Sequence, residues 1–261
     1  MIGERQVAGV TVWRAQEWAF HGAIRWDSLA LMKVKLFNWL GRDFVEIIGE
    51  GRAGWTADIA VDQLFHNFEA ELQSHGLSLD DAARVRLWGR DKDARTLATG
   101  ARAKILTGKR KAASSSFISQ QWFDSDATAG LELLAMKPRD SSAERRPVDF
   151  EPARNYLCYL RYDSVVFYSG YTSSADTLED QVAGVLKAIT GARAISGALT
   201  QDFRKAGRLS VFLHRSQKLS VIKDLLAKET WIDLANVEFR LVDGFAGDKY
   251  LLEIEATGLS G

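Results

Sequence analysis

The feature that most limits what this chain can fold into is an internal repeat. Asp43-Phe-Val-Glu-Ile-Ile-Gly and Asp163-Ser-Val-Val-Phe-Tyr-Ser are each an apolar strand run that closes on a glycine-bearing turn, Gly49-Glu-Gly51 in one half and Ser169-Gly170 in the other. An amphipathic helix follows in both halves, carrying Asp62-Gln63 within Ile59 to Leu72 and Asp180-Gln181 within Leu178 to Ile189. Leu64, Phe65, Phe68 and Leu72, then Val182, Val185, Leu186 and Ile189, recur at the spacing of one helix face. Each half continues as strand (Ala83 to Trp88; Arg208 to Leu213), helix (about Ala94 to Leu106; about Lys218 to Leu226) and two strands (Ser115 to Trp122 with Leu131 to Met136; Val237 to Val242 with Tyr250 to Ala256). That order predicts an α+β unit in which one mixed sheet carries two helices on one face. With 261 residues and roughly 150 per domain, two such units fit the length.

The boundary falls where the pattern lapses. Lys137-Pro-Arg-Asp-Ser-Ser-Ala-Glu-Arg-Arg-Pro147 is polar, has proline near each end and lacks apolar periodicity, so it reads as an exposed connection. The expected domains are 1–138 and 151–261, with a linker over 139–150. Ahead of the first repeat, Val10 to Arg25 and Leu29 to Leu40 read as added or opening strands. Five of the eight tryptophans, Trp13, Trp18, Trp26, Trp39 and Trp55, stand in the first 55 residues. They suit either a core or a surface buried by partners.

Charge narrows the partners. Thirty-four Lys and Arg balance 34 Asp and Glu, so there is no global field to gather nucleic acid or an anionic membrane. No apolar run approaches the ~20 residues of a spanning helix, and Met1-Ile-Gly-Glu-Arg-Gln lacks the apolar core of a secretory signal. A single cysteine, Cys158, cannot form an internal disulfide; its usual role is that of a small buried hydrophobe. Cytoplasm is the expected compartment.

The run Tyr156-Leu-Cys-Tyr-Leu-Arg-Tyr-Asp-Ser-Val-Val-Phe-Tyr-Ser-Gly170, the helix with Gln181 and the closing Leu-Leu-Glu-Ile-Glu-Ala256 together resemble the reactive-intermediate deaminase family (RidA, also YjgF-like). The first half resembles the same family as a weaker copy. The resemblance implies tandem chorismate-mutase-like domains, a trimeric homo-oligomer with sites in clefts between neighbouring domains, and hydrolysis of enamine, imine or aminomuconate-type small molecules without metal or organic cofactor. A more distant resemblance, to the chorismatases, implies hydrolysis of an enol-pyruvyl ether by a glutamic acid.

Carried over position by position, the resemblance assigns the strand-opening tyrosine to Tyr156, the serine before glycine to Ser169 and the terminal-strand glutamate to Glu255. The first half has Leu36, Gly49 and Leu134 there, so it looks like a scaffold or a cleft wall. The family's carboxylate-clamping arginine falls on Ser114 and Val237, which leaves that role open. Arg240 lies three residues beyond Val237 and so on the opposite face of a regular strand, from which a one-residue bulge would return it.

The chemistry expected of these groups follows from their type. Glu253 and Glu255 alternate onto one face, and a desolvated carboxyl keeps its proton, as a donor to an enamine or enol ether must. Equally, the two could be solvated strand carboxylates matched with Lys249 or Arg240. Tyr156 offers a ring and a hydroxyl to a flat substrate, or simply packs; Ser169 positions a ligand, or bonds local backbone. His21, His66, His75 and His214 show no metal-ligand spacing. Ser114-Ser-Ser116 lacks the context of a nucleophile elbow, and Gly100 to Gly108 has the wrong spacing for a phosphate loop. Lys109-Arg-Lys111 reads as a solvated loop that could draw an anion to a nearby cleft. The reading is a cofactor-independent hydrolase or deaminase, or a non-catalytic metabolite- or enzyme-binding protein of the same build.

Overall fold

In a computed structural model, residues 32–154, 156–196 and 207–260 are described. The expected strand over Val10 to Arg25 lies outside them. The first unit comprises β1 (Met32–Trp39), β2 (Arg42–Glu50), α1 (Ala57–Ser74), β3 (Ala82–Gly89), α2 (Lys92–Ile105), β4 (Ala113–Ile118) and β5 (Ala129–Met136). Its sheet runs β1-β2-β5-β3-β4, parallel only between β3 and β4. The second unit has β6 (Arg145–Asp149), β7 (Leu157–Tyr162), β8 (Val165–Tyr168), α3 (Leu178–Ser196), β9 (Arg208–His214), α4 (Leu219–Leu226), β10 (Val237–Val242) and β11 (Leu252–Leu259). Read from the other edge, its order is β6-β7-β8-β11-β9-β10, again with one parallel pair, β9 and β10. The two tandem α+β units share one topology, and the second adds an edge strand.

That added strand modifies the expected linker. Its second half is β6, antiparallel to β7, with Pro147 opposite Leu160. An edge strand has a free side for a residue without N–H, so proline and polar composition are compatible with pairing there.

Helices cover one face of each sheet for the reason the periodicity gives. Ala57, Ala60, Val61, Leu64, Phe65, Phe68 and Leu72 of α1 are buried against Val45, Ile47, Leu131 and Leu133. In the second unit, Leu178, Val182, Val185, Leu186 and Ile189 of α3 meet Val166, Leu209, Val211 and Ile254. The helix-free faces then pack on each other. At one end Phe44 meets Phe167 edge to face at 6.3 Å within a cluster that also holds Met136 and Leu160. At the other, Phe117 stacks on Phe212 at 3.9 Å beside Trp88, Val242 and Phe245. The backbones also join: the Ser114 N–H donates to Ser169 Oγ at 3.0 Å, Gly170 N–H to the Ser114 carbonyl at 3.3 Å, and Ile118 N–H to the Gly244 carbonyl at 2.9 Å.

Because Phe212 is fully buried in this seam and touches no helix core, Phe212→Ala is expected to cost about 3–5 kcal/mol. Urea unfolding of the whole chain checks this; a loss under 1 kcal/mol would show the seam to be loosely packed.

Candidate active site at the seam between the domains

Alternation along β3 sends Val85 and Leu87 to the helix core and Arg84, Arg86 and Trp88 into the seam. Arg86 lies among acceptors from both units. Its Nε and one terminal nitrogen donate to Glu255 Oε2 at 3.0 and 2.8 Å, that same terminal nitrogen reaches Ser210 Oγ at 2.9 Å, and the other terminal nitrogen reaches Glu132 Oε2 at 3.1 Å. Arg84 bonds Thr257 Oγ1 and the carbonyls of Tyr168 and Ala256, and its Nε is 3.3 Å from Glu255.

Arg240 reaches this face without a bulge. Val237, Phe239 and Leu241 pack on the helix core, so the odd offset that separates Arg240 from Val237 puts it, with Glu238, on the side of Glu255. There it pairs with Glu132 and, at 2.7 Å, with Glu238. Trp122 Nε1 also donates to Glu132 at 3.0 Å. Three arginines and three glutamates thus close on one another. Burial alone would raise these carboxyls, but Arg240 and Arg86 outweigh it and hold Glu238 down to about 2, and Glu132 below the usual range.

Glu255 is corrected by the same physics. It is fully buried, yet Arg86 and Arg84 overcome the desolvation that would keep its proton, and its pKa is lowered. It is a standing carboxylate, not the neutral acid expected of a buried glutamate. The neutral acid is its strand neighbour. Glu253, on the same face two residues away, is raised to about 8, first by burial and then by the Glu255 charge. Glu253 Oε1 is buried, and the Ser115 hydroxyl of β4 lies close enough to Glu253 and Glu255 to favour the charged form of each. The Glu253 carboxyl occupies the volume where a side chain at position 170 would stand: a Cβ on Gly170 would meet its Oε1 at 1.7 Å. From the first unit, Arg95 and Arg102 of α2 lie close enough to act on it electrostatically, and Arg102 donates to the Ser115 carbonyl.

At the seam the Glu253 carboxyl therefore packs against Gly170 of its own unit, with β4 of the other unit joined to Gly170 through the Ser114 carbonyl. Ser169 is at this junction, fully buried, with its hydroxyl accepting from Ser114 N–H. Tyr156 is elsewhere: it stacks edge to face on Phe150 and accepts from Arg154 at 2.9 Å, and no described contact joins it to Glu253, Glu255 or Arg240. Of the residues expected, Glu255 and Arg240 meet in the ionic layer and Ser169 lines its flank. Sequence reasoning missed Arg84, Arg86, Glu132, Arg95 and Arg102. The alternation Arg84-Val-Arg86 in an otherwise apolar strand is the signal that could have found two of them. Among the described residues no three His, Cys, Asp or Glu side chains converge as metal ligands, and no described helix is long and apolar enough to cross a membrane.

Compared with solved structures, the chain shares its fold with a chorismatase crystal structure, with a TM-score of 0.56, 15% identity, and coverage of 86% of this chain and 79% of that one. A YjgF/YER057c/UK114-family protein from Mycobacterium tuberculosis aligns over 44% of this chain and 99% of its own, at 20% identity and a TM-score of 0.36. A Rid-family protein, YyfA from Yersinia pestis, aligns over 44% and 99%, at 15% identity and 0.37. No family model and no curated protein matches the sequence. The fold expected, two tandem α+β units each with a mixed sheet and helices on one face, is the fold found, and a chorismatase structure shares it.

The opposed states of the two glutamates give a stability signature. Below pH about 4.5 Glu253 is neutral whether folded or unfolded; between there and about 8 the unfolded chain releases a proton that the folded one keeps, so its contribution falls as pH rises. The limiting slope is about 1.4 kcal/mol per pH unit. Urea unfolding at pH 5, 6.5 and 8 should show Glu253→Gln gaining on the wild type across this window; a constant difference would mean that Glu253 is ionised in the fold.

Proposed function

We propose that the chain is a cofactor-independent hydrolase in which Glu253 is the proton donor to a small unsaturated enamine, imine or enol-type acid. The observation that carries this reading is the Glu253 carboxyl at the seam, packed against Gly170, with its pKa raised to about 8 by burial and by the Glu255 charge beside it. A general acid needs its proton at working pH. In the enamine case Glu253 gives its proton to the terminal carbon of the C=C–N unit, leaving an iminium cation and a Glu253 carboxylate. Water adds to the iminium carbon, the carboxylate takes back a proton from it, and the carbinolamine collapses to a carbonyl compound and ammonia. Glu255, anchored by Arg86 and Arg84, does not exchange a proton; its negative charge faces the cation as it forms. Ser169 fixes the wall by holding the Ser114 amide.

A second reading is favoured by the extent of the chorismatase likeness, 86% of the chain. An enol ether protonated at carbon by the same Glu253 gives an oxocarbenium ion, and water addition then releases a keto acid and an alcohol.

Incubation with an enamine source, following ammonia, and with chorismate, following pyruvate, separates these two from a binding protein that turns over neither. The turnover rate should fall as pH rises through about 8, as Glu253 loses its proton. Glu253→Gln should lose at least about 100-fold in kcat while remaining folded; a folded Glu253→Gln with wild-type turnover overturns the assignment.

A further inference from the structure

On its helix-covered side the second unit has a cavity of about 430 Å³, within the size range of small-molecule sites. Asp176 and Glu179, at the entry to α3, line it from one element, and Lys218, where the turn after β9 enters α4, lines it from another. Leu178, Val221 and Leu251 line it as well, and all three belong to or pack on the helix-side core. Glu253 and Glu255 point to the opposite face of the same sheet, so this cavity is separate from the seam.

One buried side chain fixes its walls. Gln181 donates from Nε2 to the carbonyls of Ala175 and Lys249 at 2.7 and 2.8 Å, and its Oε1 accepts from Leu251 N–H at 2.8 Å. The segment entering α3 is thereby tied to the segment entering β11. Thr177 Oγ1 closes the first turn of α3 by accepting from Asp180 N–H at 3.1 Å. The cavity is therefore preformed, and little ordering has to be bought on binding.

Its charges, in contrast to those of the seam, are uncommitted. Asp176, Glu179 and Lys218 are exposed, and none of them is in an ion pair among the described residues. The first turn of α3 is acidic, whereas that of α4 has no acid. An anion alone would meet two carboxylates, a cation alone would meet Lys218, and an uncharged apolar molecule would leave both charged walls unused. A zwitterion with an aliphatic side chain uses every part: its ammonium suits Asp176 and Glu179, its carboxylate suits Lys218, and its side chain covers Leu178, Val221 and Leu251.

We propose that this cavity binds a free aliphatic α-amino acid, held by both of its charges, at a site apart from the Glu253 carboxyl. Binding there does not depend on turnover at the seam.

Calorimetric titration of the full chain with leucine, isoleucine and valine is the test. At least one of them should bind, and its N-acetyl and amide forms, each lacking one charge, should bind about 10-fold or more weakly. Lys218→Met should lower the affinity for the free amino acid to that for its amide, and Asp176→Asn combined with Glu179→Gln to that for its N-acetyl form. All three side chains are exposed, so these variants should keep the wild-type unfolding midpoint. Absence of binding by all of the amino acids, equal binding of free and blocked forms, or wild-type affinity in folded Lys218→Met overturns the proposal. Loss of binding in folded Glu253→Gln with retention in Lys218→Met would put the ligand at the seam and overturn it as well.

Discussion

Arg86 is the constraint from which the rest of this molecule follows. A guanidinium buried between two sheets must be well paired, because an isolated charge in that environment costs several kcal/mol, a large part of the stability of a domain. Its acceptors come from both units, Glu132 from its own and Glu255 and Ser210 from the other. The two sheets can therefore meet in one register only. A slip of one residue would turn Val85 and Leu87 toward the glutamates and drive the arginines into the helix core. Aromatic clusters above and below exclude water from this layer and supply the apolar burial, while the ionic layer sets the alignment.

The same layer sets the proton states beside it. Glu255 and Glu253 are two residues apart on one strand and one face, yet their neighbours push them in opposite directions. Arginines take the proton from one, and burial plus the resulting charge leaves it on the other. This is the arrangement by which two identical side chains acquire different roles at a single pH. On the proposed reading, the structural ion pairs and the reactive carboxyl are thus adjacent without competing.

Much of the architecture was legible in the sequence because a fold is written in periodicities. The order of strands and helices, the helix-covered face and the pairing of Glu253 with Glu255 all follow from spacings of two and 3.6. Partners across the seam were not legible. Arg86 and Glu255 are 169 residues apart, and alternation says which way a side chain points without saying what it meets. That is why Glu255 could be placed on the correct face and still be given the wrong protonation state. For Arg240 the parity was right, but no bulge is needed, because Val237 is the residue that faces the helix core. The linker was misjudged over 145–149 because edge strands carry little of the apolar pattern that identifies central ones.

The connection between the units has a kinetic meaning. Only residues 137–144 separate the last strand of the first sheet from β6, already an edge of the second. A tether this short holds each side of the seam at a high effective concentration next to the other. Bringing Gly170 against β4 is then a unimolecular event whose equilibrium does not depend on how dilute the protein is.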